Sequence, residues 1–150
     1  MGPCKKVSCS VKSSLRFITC HKHPVSGRLY FVRFVSGDIC GIESLPKLAV
    51  LADSSDSAVV MHPAAALRDL ARYLDMPEDW LSLLGEFHLY LEVPHQYAPG
   101  GLLPIYLAAV AGYELPMLPA DNQWIEMPDS FAQPYLQREI LRAAYEYLMG

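Results

Sequence analysis

Ala65-Ala66-Leu67-Arg68-Asp69-Leu70 runs on into Ala71-Arg72-Tyr73-Leu74, and His62-Pro63 stands just before it. Leu67, Leu70, Ala71 and Leu74 recur at spacings of three and four, which gathers them on one side of a helix. Pro63 suits the first helical turn, where its missing N–H leaves no bond unmade. The pattern predicts a helix opening at His62-Pro63 with its apolar side in a core. Arg68 and Arg72 are four apart, so they are neighbours on the helix surface. An anion between them relieves their repulsion, because guanidinium groups hold phosphate through paired N–H donors. The competing reading is that Asp69 or another carboxylate pairs with Arg72 at the surface.

Working toward the C-terminus, Met76 to Leu84 reads as a short helical turn begun by Pro77-Glu78-Asp79-Trp80 and ended by Gly85. Phe87, Leu89 and Leu91 then alternate with His88, Tyr90 and Glu92, which predicts a strand over residues 86–93. Pro94 to Gly101 is a Pro/Gly-rich loop, and Ile105 to Tyr113 fits a strand or a short helix on periodicity alone. Trp124-Ile125-Glu126 makes a short extended piece. Gln133 to Met149 is an amphipathic helix with Leu136, Ile140, Leu141, Ala144 and Leu148 inward. Toward the N-terminus, Asp53-Ser54-Ser55-Asp56-Ser57 reads as a flexible loop. Residues 15–21 and 28–35 are rich in aromatic and β-branched side chains around the turn Lys22 to Gly27, which predicts a paired antiparallel hairpin. Ile39 to Ile42 is a short apolar piece leading into a loop across the sheet.

The chain has 150 residues, 52% hydrophobic and 19% charged, which suits one globular domain and excludes collagen, coiled coil and wholesale disorder. Twelve prolines point to many connections. The longest weakly polar run, Leu102 to Tyr113, contains Pro104 and Gly112 and falls short of the ~20 residues of a membrane helix. Lys5 and Lys6 are not followed by a signal-type apolar stretch, so a cytoplasmic or other intracellular location is expected. Met1-Gly2 has Lys6 where myristoylation wants Ser or Thr, so no lipid anchor is expected. Cys4, Cys9, Cys20 and Cys40 form no C-x-x-C pair and read as free thiols. Residues 1–37 hold seven basic side chains (Lys5, Lys6, Lys12, Arg16, Lys22, Arg28, Arg33) and no acidic one. The remainder has five basic against sixteen acidic side chains, a net −11. Residues 1–13 read as a basic, flexible segment; residues 1–37 are a candidate contact for an acidic protein partner, with a solvated edge as the plainer reading. The acidic body argues against nucleic-acid binding, whose affinity comes from neutralising phosphates.

Five short segments resemble one family in order and spacing: Gly27-Arg28-Leu29-Tyr30-Phe31-Val32-Arg33-Phe34, Cys40-Gly41-Ile42, Ala65 to Leu70, Leu83-Leu84-Gly85-Glu86-Phe87-His88, and Asn122-Gln123-Trp124-Ile125-Glu126. Together they resemble the Nudix superfamily over residues 14–149. The resemblance implies a single domain over 14–150, an α/β/α sandwich around a mixed β-sheet, with Ile105 to Tyr113 as a strand and a homodimer as the oligomer. The family signature is G-x5-E-x7-R-E-U-x-E-E-x-G-U, with U aliphatic, and its glutamates hold divalent cations that activate water against a diphosphate.

Set on that signature, Arg68 and Asp69 take the R-E pair, and the two metal-binding glutamates become Arg72 and Tyr73. The glycine that follows becomes Asp75, the upstream glutamate Val60 and its glycine Ser54. Mg²⁺ needs oxygen ligands, and an arginine at a ligand position repels the ion. The resemblance therefore implies a pseudoenzyme: no cofactor, no metal site, and a binding or protein-interaction module for a nucleotide or other phosphate-bearing ligand. Its candidate ligand-binding residues are Arg68, Arg72, Tyr73, Trp124 and Glu126. The alternative is a divergent Mg²⁺-dependent hydrolase of nucleoside diphosphate derivatives, with Asp69, Glu86 and Glu126 as catalytic carboxylates and Glu126 the strongest of them.

Other constellations are weaker. Cys20, His21 and His23 invite a metal, but no second ligand pair stands at a finger-like spacing. His62 reads as a cap or turn residue before Pro63, and neither His88 nor His95 has a sequence neighbour that makes it a general base. No G-x-S-x-G elbow or G-x-x-x-x-G-K-[ST] loop is present. Tyr90, Tyr97, Tyr106, Tyr113 and Trp124 cluster around the pocket strands that the resemblance implies, where rings stack on a base or fill a core.

Overall fold

A computed structural model describes residues 16–52 and 63–150. The basic segment 1–13 and the positions of Ser54, Val60 and His62, with the Asp53 to Ser57 loop, lie outside the described residues. Seven strands form one mixed sheet: β1 (Arg16–Lys22), β2 (Leu29–Arg33), β3 (Val50–Leu51), β4 (Leu81–Leu83), β5 (Leu89–Glu92), β6 (Leu102–Val110) and β7 (Gln123–Ile125). Among the described residues two α-helices accompany it, α1 (Ala64–Tyr73) and α2 (Tyr135–Met149). The strand order is β3-β5-β6-β1-β2-β7, with β4 also on β6.

The sheet is organised on β6 and β1, which run parallel from Arg16 against Ile105 to Cys20 against Ala109. The other pairings are antiparallel. On its far side β6 pairs first with β5 and then with β4. Alternation along β6 separates two cores. Leu103, Ile105 and Leu107 pack with Ile18, Phe31 and, from α2, Ile140, Leu141 and Ala144. Ala108 and Val110 pack with Phe17, Val32, Phe34 and, from α1, Leu70, Ala71 and Leu74. The result is helix on sheet on helix, as expected, because strands of period two and helices of period 3.6 each present one apolar side to a shared layer.

Three boundaries differ from the sequence reading. Residues 76–84 are not one helical turn: only Glu78–Trp80 is three-ten helix, and Leu81–Leu83 is strand. Pairing of Leu81 with Val110 and Leu83 with Ala108 decides this, a long-range bond set that three residues cannot announce. The strand expected over 86–93 is confined to Leu89–Glu92, after a turn in which Phe87 N–H bonds the Leu84 carbonyl. β6 starts three residues earlier than Ile105 and takes Pro104 into its interior, opposite Tyr90. The short β3 was not anticipated.

The end of α1 is informative. Asp75 has φ +59°, Asp75 N–H bonds the Arg72 carbonyl at 3.2 Å and Met76 N–H bonds the Ala71 carbonyl at 3.0 Å. This is the Schellman arrangement, in which the left-handed residue after the helix is usually glycine. Asp75 stands where the signature has glycine, so the backbone there adopts the conformation that glycine favours while the side chain does not suit it.

Candidate functional site

On α1, Arg72 Nη1 donates to Asp69 Oδ1 at 3.0 Å, and the Arg72 side chain is 73% exposed. The surface-pair reading thus describes Arg72. Arg68 and Arg72 do line one pocket, an open hollow of about 410 Å³ shared with Asp75, Met76, Pro77 and Glu78. Its two guanidiniums face two carboxylates, and Asp69 adds a third beside them, so the hollow carries no cationic excess.

The other expected site residues point elsewhere. Tyr73 packs its ring 6.2 Å from that of Phe34 and its hydroxyl donates to Asn122 Oδ1 at 3.3 Å. Trp124 lies in the α1-side core, its indole N–H donating to the Pro116 carbonyl at 2.9 Å. Glu126 accepts from Arg28 Nη2 at 3.0 Å on both oxygens, a surface pair that raises the Arg28 pKa. Glu86 is exposed in the turn before β5. Asp69, Glu86 and Glu126 therefore make no common site. Among the described residues no three His, Cys, Asp or Glu side chains are grouped to hold a metal ion. The donor set that the family's divalent cation needs does not fit what stands here: an ion-paired arginine and a packed tyrosine.

The histidine candidates have structural roles. His21 is buried; its Nδ1 lies 2.9 Å from the Val110 carbonyl, which only accepts, so Nδ1 carries the proton. His23 Nδ1 accepts from the Val25 and Ser26 amides and closes the hairpin turn. Cys20 belongs to the α2-side core, away from His21, where burial pushes its thiol up to about 12.

A larger cavity, about 930 Å³, opens at the N-terminal end of β1. Arg16, the loop Glu43-Ser44-Leu45-Pro46-Lys47-Leu48, and Pro94, Gln96 and Tyr97 line it. Arg16 is only 7% exposed. It donates through Nη1 to the Glu43 carbonyl, and its buried Nε has no partner among the described residues.

Behind this cavity Asp38 anchors the loop. Its buried carboxylate accepts from the Cys40 amide at 2.8 Å, the Leu45 amide at 2.9 Å and Gln137 Nε2 at 3.2 Å. Burial raises the Asp38 pKa, opposed by those amides and by the charge of Arg16. At the end of the loop that presents Tyr97, Gly101 has φ +74°, and a Cβ there would lie 3.1 Å from the His95 ring and the Val93 carbonyl, so this left-handed position favours glycine. In the sequence Arg16 is one of seven basic residues in 1–37, and no motif singles out Lys47 or Asp38. The available signal was Arg16 itself, a charge set directly against Phe17-Ile18 in an apolar strand.

No protein-family model matches the sequence, and no curated protein does. Among solved structures, the crystal structure of C. elegans Ap4A hydrolase is similar over 89% of this chain and 96% of its own, with TM-score 0.51 and 14% identity. The crystal structure of a binary complex of a C. elegans Ap4A hydrolase is similar over 91% of this chain and 98% of its own, at the same TM-score and identity. At that identity the likeness is one of fold, and the fold of this chain is Nudix-like: a mixed sheet between helices, shared with the Ap4A hydrolases.

Proposed function

We propose that this chain is a Nudix-like binding module for a phosphate-bearing ligand of the nucleotide kind, and that it does not perform metal-dependent hydrolysis. The observation that carries this reading is the state of α1. Its end keeps the left-handed turn where the family signature has glycine, while the two positions that hold metal in that signature carry Arg72, tied to Asp69, and Tyr73, packed on Phe34. Metal-assisted hydrolysis depends on a cation to lower the pKa of water and to offset developing charge. Guanidinium and ammonium groups bind phosphate without one.

The test is the melting temperature of the full chain with ADP, a dinucleotide and ADP-ribose, each in EDTA and in Mg²⁺ or Mn²⁺. A ligand that binds only the native state raises it. The reading predicts a rise that is the same in EDTA as in metal. A rise that needs metal and is followed by product release would establish the hydrolase instead, and no rise from any ligand would hand the role to a protein partner.

A further inference from the structure

We propose that the phosphate group of the ligand is held in the cavity at the N-terminal end of β1, by Arg16 and Lys47, with Tyr97 as the flat wall beside the rest of the ligand. The proposal rests on the reading of the chain as a phosphate-ligand module and assigns that module's site. Among the described residues the α1 hollow and this cavity share no lining residue.

The charge of Arg16 is the first reason. A guanidinium has five N–H donors, and this one, almost fully buried, places one bond on a backbone carbonyl and leaves Nε unpaired among the described residues. Buried cations are normally paired. Asp38 attracts Arg16 through space, yet no hydrogen bond runs between them among the described residues, and the Asp38 oxygens serve two amides and Gln137. Arg16 thus lines a cavity with donors in excess of acceptors.

The cavity walls supply the rest. Lys47 adds a second cation, with no ion pair among the described residues. Among the described residues Glu43 is the one carboxylate in the lining, so two positive charges there face one negative. The volume falls within the roughly 300–1,000 Å³ of small-ligand pockets. Tyr97 is 47% exposed, and its ring offers a stacking surface for a base.

Calorimetric titration in EDTA tests this, with ADP, inorganic pyrophosphate and succinate as probes of the full chain. ADP and pyrophosphate are expected to bind, and succinate to bind at least tenfold more weakly than pyrophosphate. Lys47→Glu lowers both phosphate affinities at least tenfold; Tyr97→Ala lowers that of ADP severalfold and leaves pyrophosphate within twofold. Arg16→Lys, which keeps the charge and loses the fork, weakens both. Because Arg16 is buried, that variant is judged beside Lys47→Glu, whose side chain is exposed. Arg142→Ala removes one exposed positive charge from α2 and leaves both affinities within twofold. If Arg72→Ala removes ADP binding while Lys47→Glu and Tyr97→Ala do not, the site is on α1 and the proposal falls, with the module reading intact. Succinate binding as tightly as pyrophosphate would overturn the assignment of phosphate. Failure of ADP and pyrophosphate to bind the unaltered chain would overturn both.

Discussion

Asp75 holds a backbone conformation that costs an L-residue roughly 1–2 kcal/mol and costs glycine little. Asp75→Gly is therefore expected to stabilise the chain by about 1 kcal/mol, read as a higher midpoint in urea. Asp38 is the opposite case. Its removal in Asp38→Ala leaves the Cys40 and Leu45 amides and Gln137 without their acceptor, so a loss of about 2–3 kcal/mol is expected in the same measurement. Its raised pKa means that the neutral form is the one the fold favours: this contribution is complete below the ordinary value of 3.8 and is lost as pH rises through the native value. At neutral pH Asp38 is therefore an anchor kept at an electrostatic cost. Cys20 follows the same sign higher up. Its contribution is complete below its ordinary 9.0 and is lost as pH rises from there toward about 12. Since the thiolate is the reactive form, iodoacetamide at pH 8 should leave Cys20 and Cys40 unmodified in the native chain and modify them in denaturant, as mass mapping would show. None of these roles was legible in composition or spacing, because each depends on which amides, carbonyls or rings surround the side chain.

Elements with a sustained period were legible and those made by pairing were not. α1 and α2 have their apolar residues at helical spacing, and Ile140, Leu141 and Ala144 are fully buried as read. The hairpin followed from its aromatic and β-branched strands and its turn. Leu81–Leu83 and Val50–Leu51 are too short to show any alternation; they are strands because β6 and β5 present free edges to them. The loops follow the same division. Nothing in Glu43 to Leu48 or in Pro94 to Tyr97 says that these segments face each other across Arg16. The energetic contrast between core and surface is steep. Leu74→Ala, at a fully buried position, should cost about 2–5 kcal/mol. Arg72→Ala, which breaks an exposed pair, should change stability by less than about 0.5 kcal/mol. Gly101→Ala adds a Cβ against His95 and Val93 at a left-handed position, so a loss of about 1–3 kcal/mol is expected, together with weaker ADP binding through the displaced Tyr97 wall.

At the scale of the molecule, the described sheet and helices reproduce a Nudix-like frame, and the proposal is that this frame binds without cleaving. The frame was legible because five short segments stood in the right order, each marking a strand, a turn or the start of a helix. Arg72 and Tyr73 can be read directly from the chain at the positions where the resemblance sets the two metal-binding glutamates. Of the expected ligand residues, Arg68 and Arg72 line one hollow, Tyr73 and Trp124 pack against the α1-side core, and Glu126 pairs with Arg28 at the surface, a division that depends on packing and not on spacing along the chain. Charge follows the same logic. Residues 1–37 hold seven of the twelve basic side chains, and the one among the described residues that is buried, Arg16, lines the cavity of about 930 Å³. The central claim is that a phosphate ligand binds here without a metal and leaves intact. Phosphorus NMR of ADP-ribose with the full chain, first in EDTA and then after excess Mg²⁺, reads both halves at once. The account predicts shifted or broadened diphosphate resonances in EDTA and no new phosphomonoester signal after Mg²⁺. Resonances that stay unperturbed until Mg²⁺ is added, followed by phosphomonoester peaks that grow with time, would contradict it.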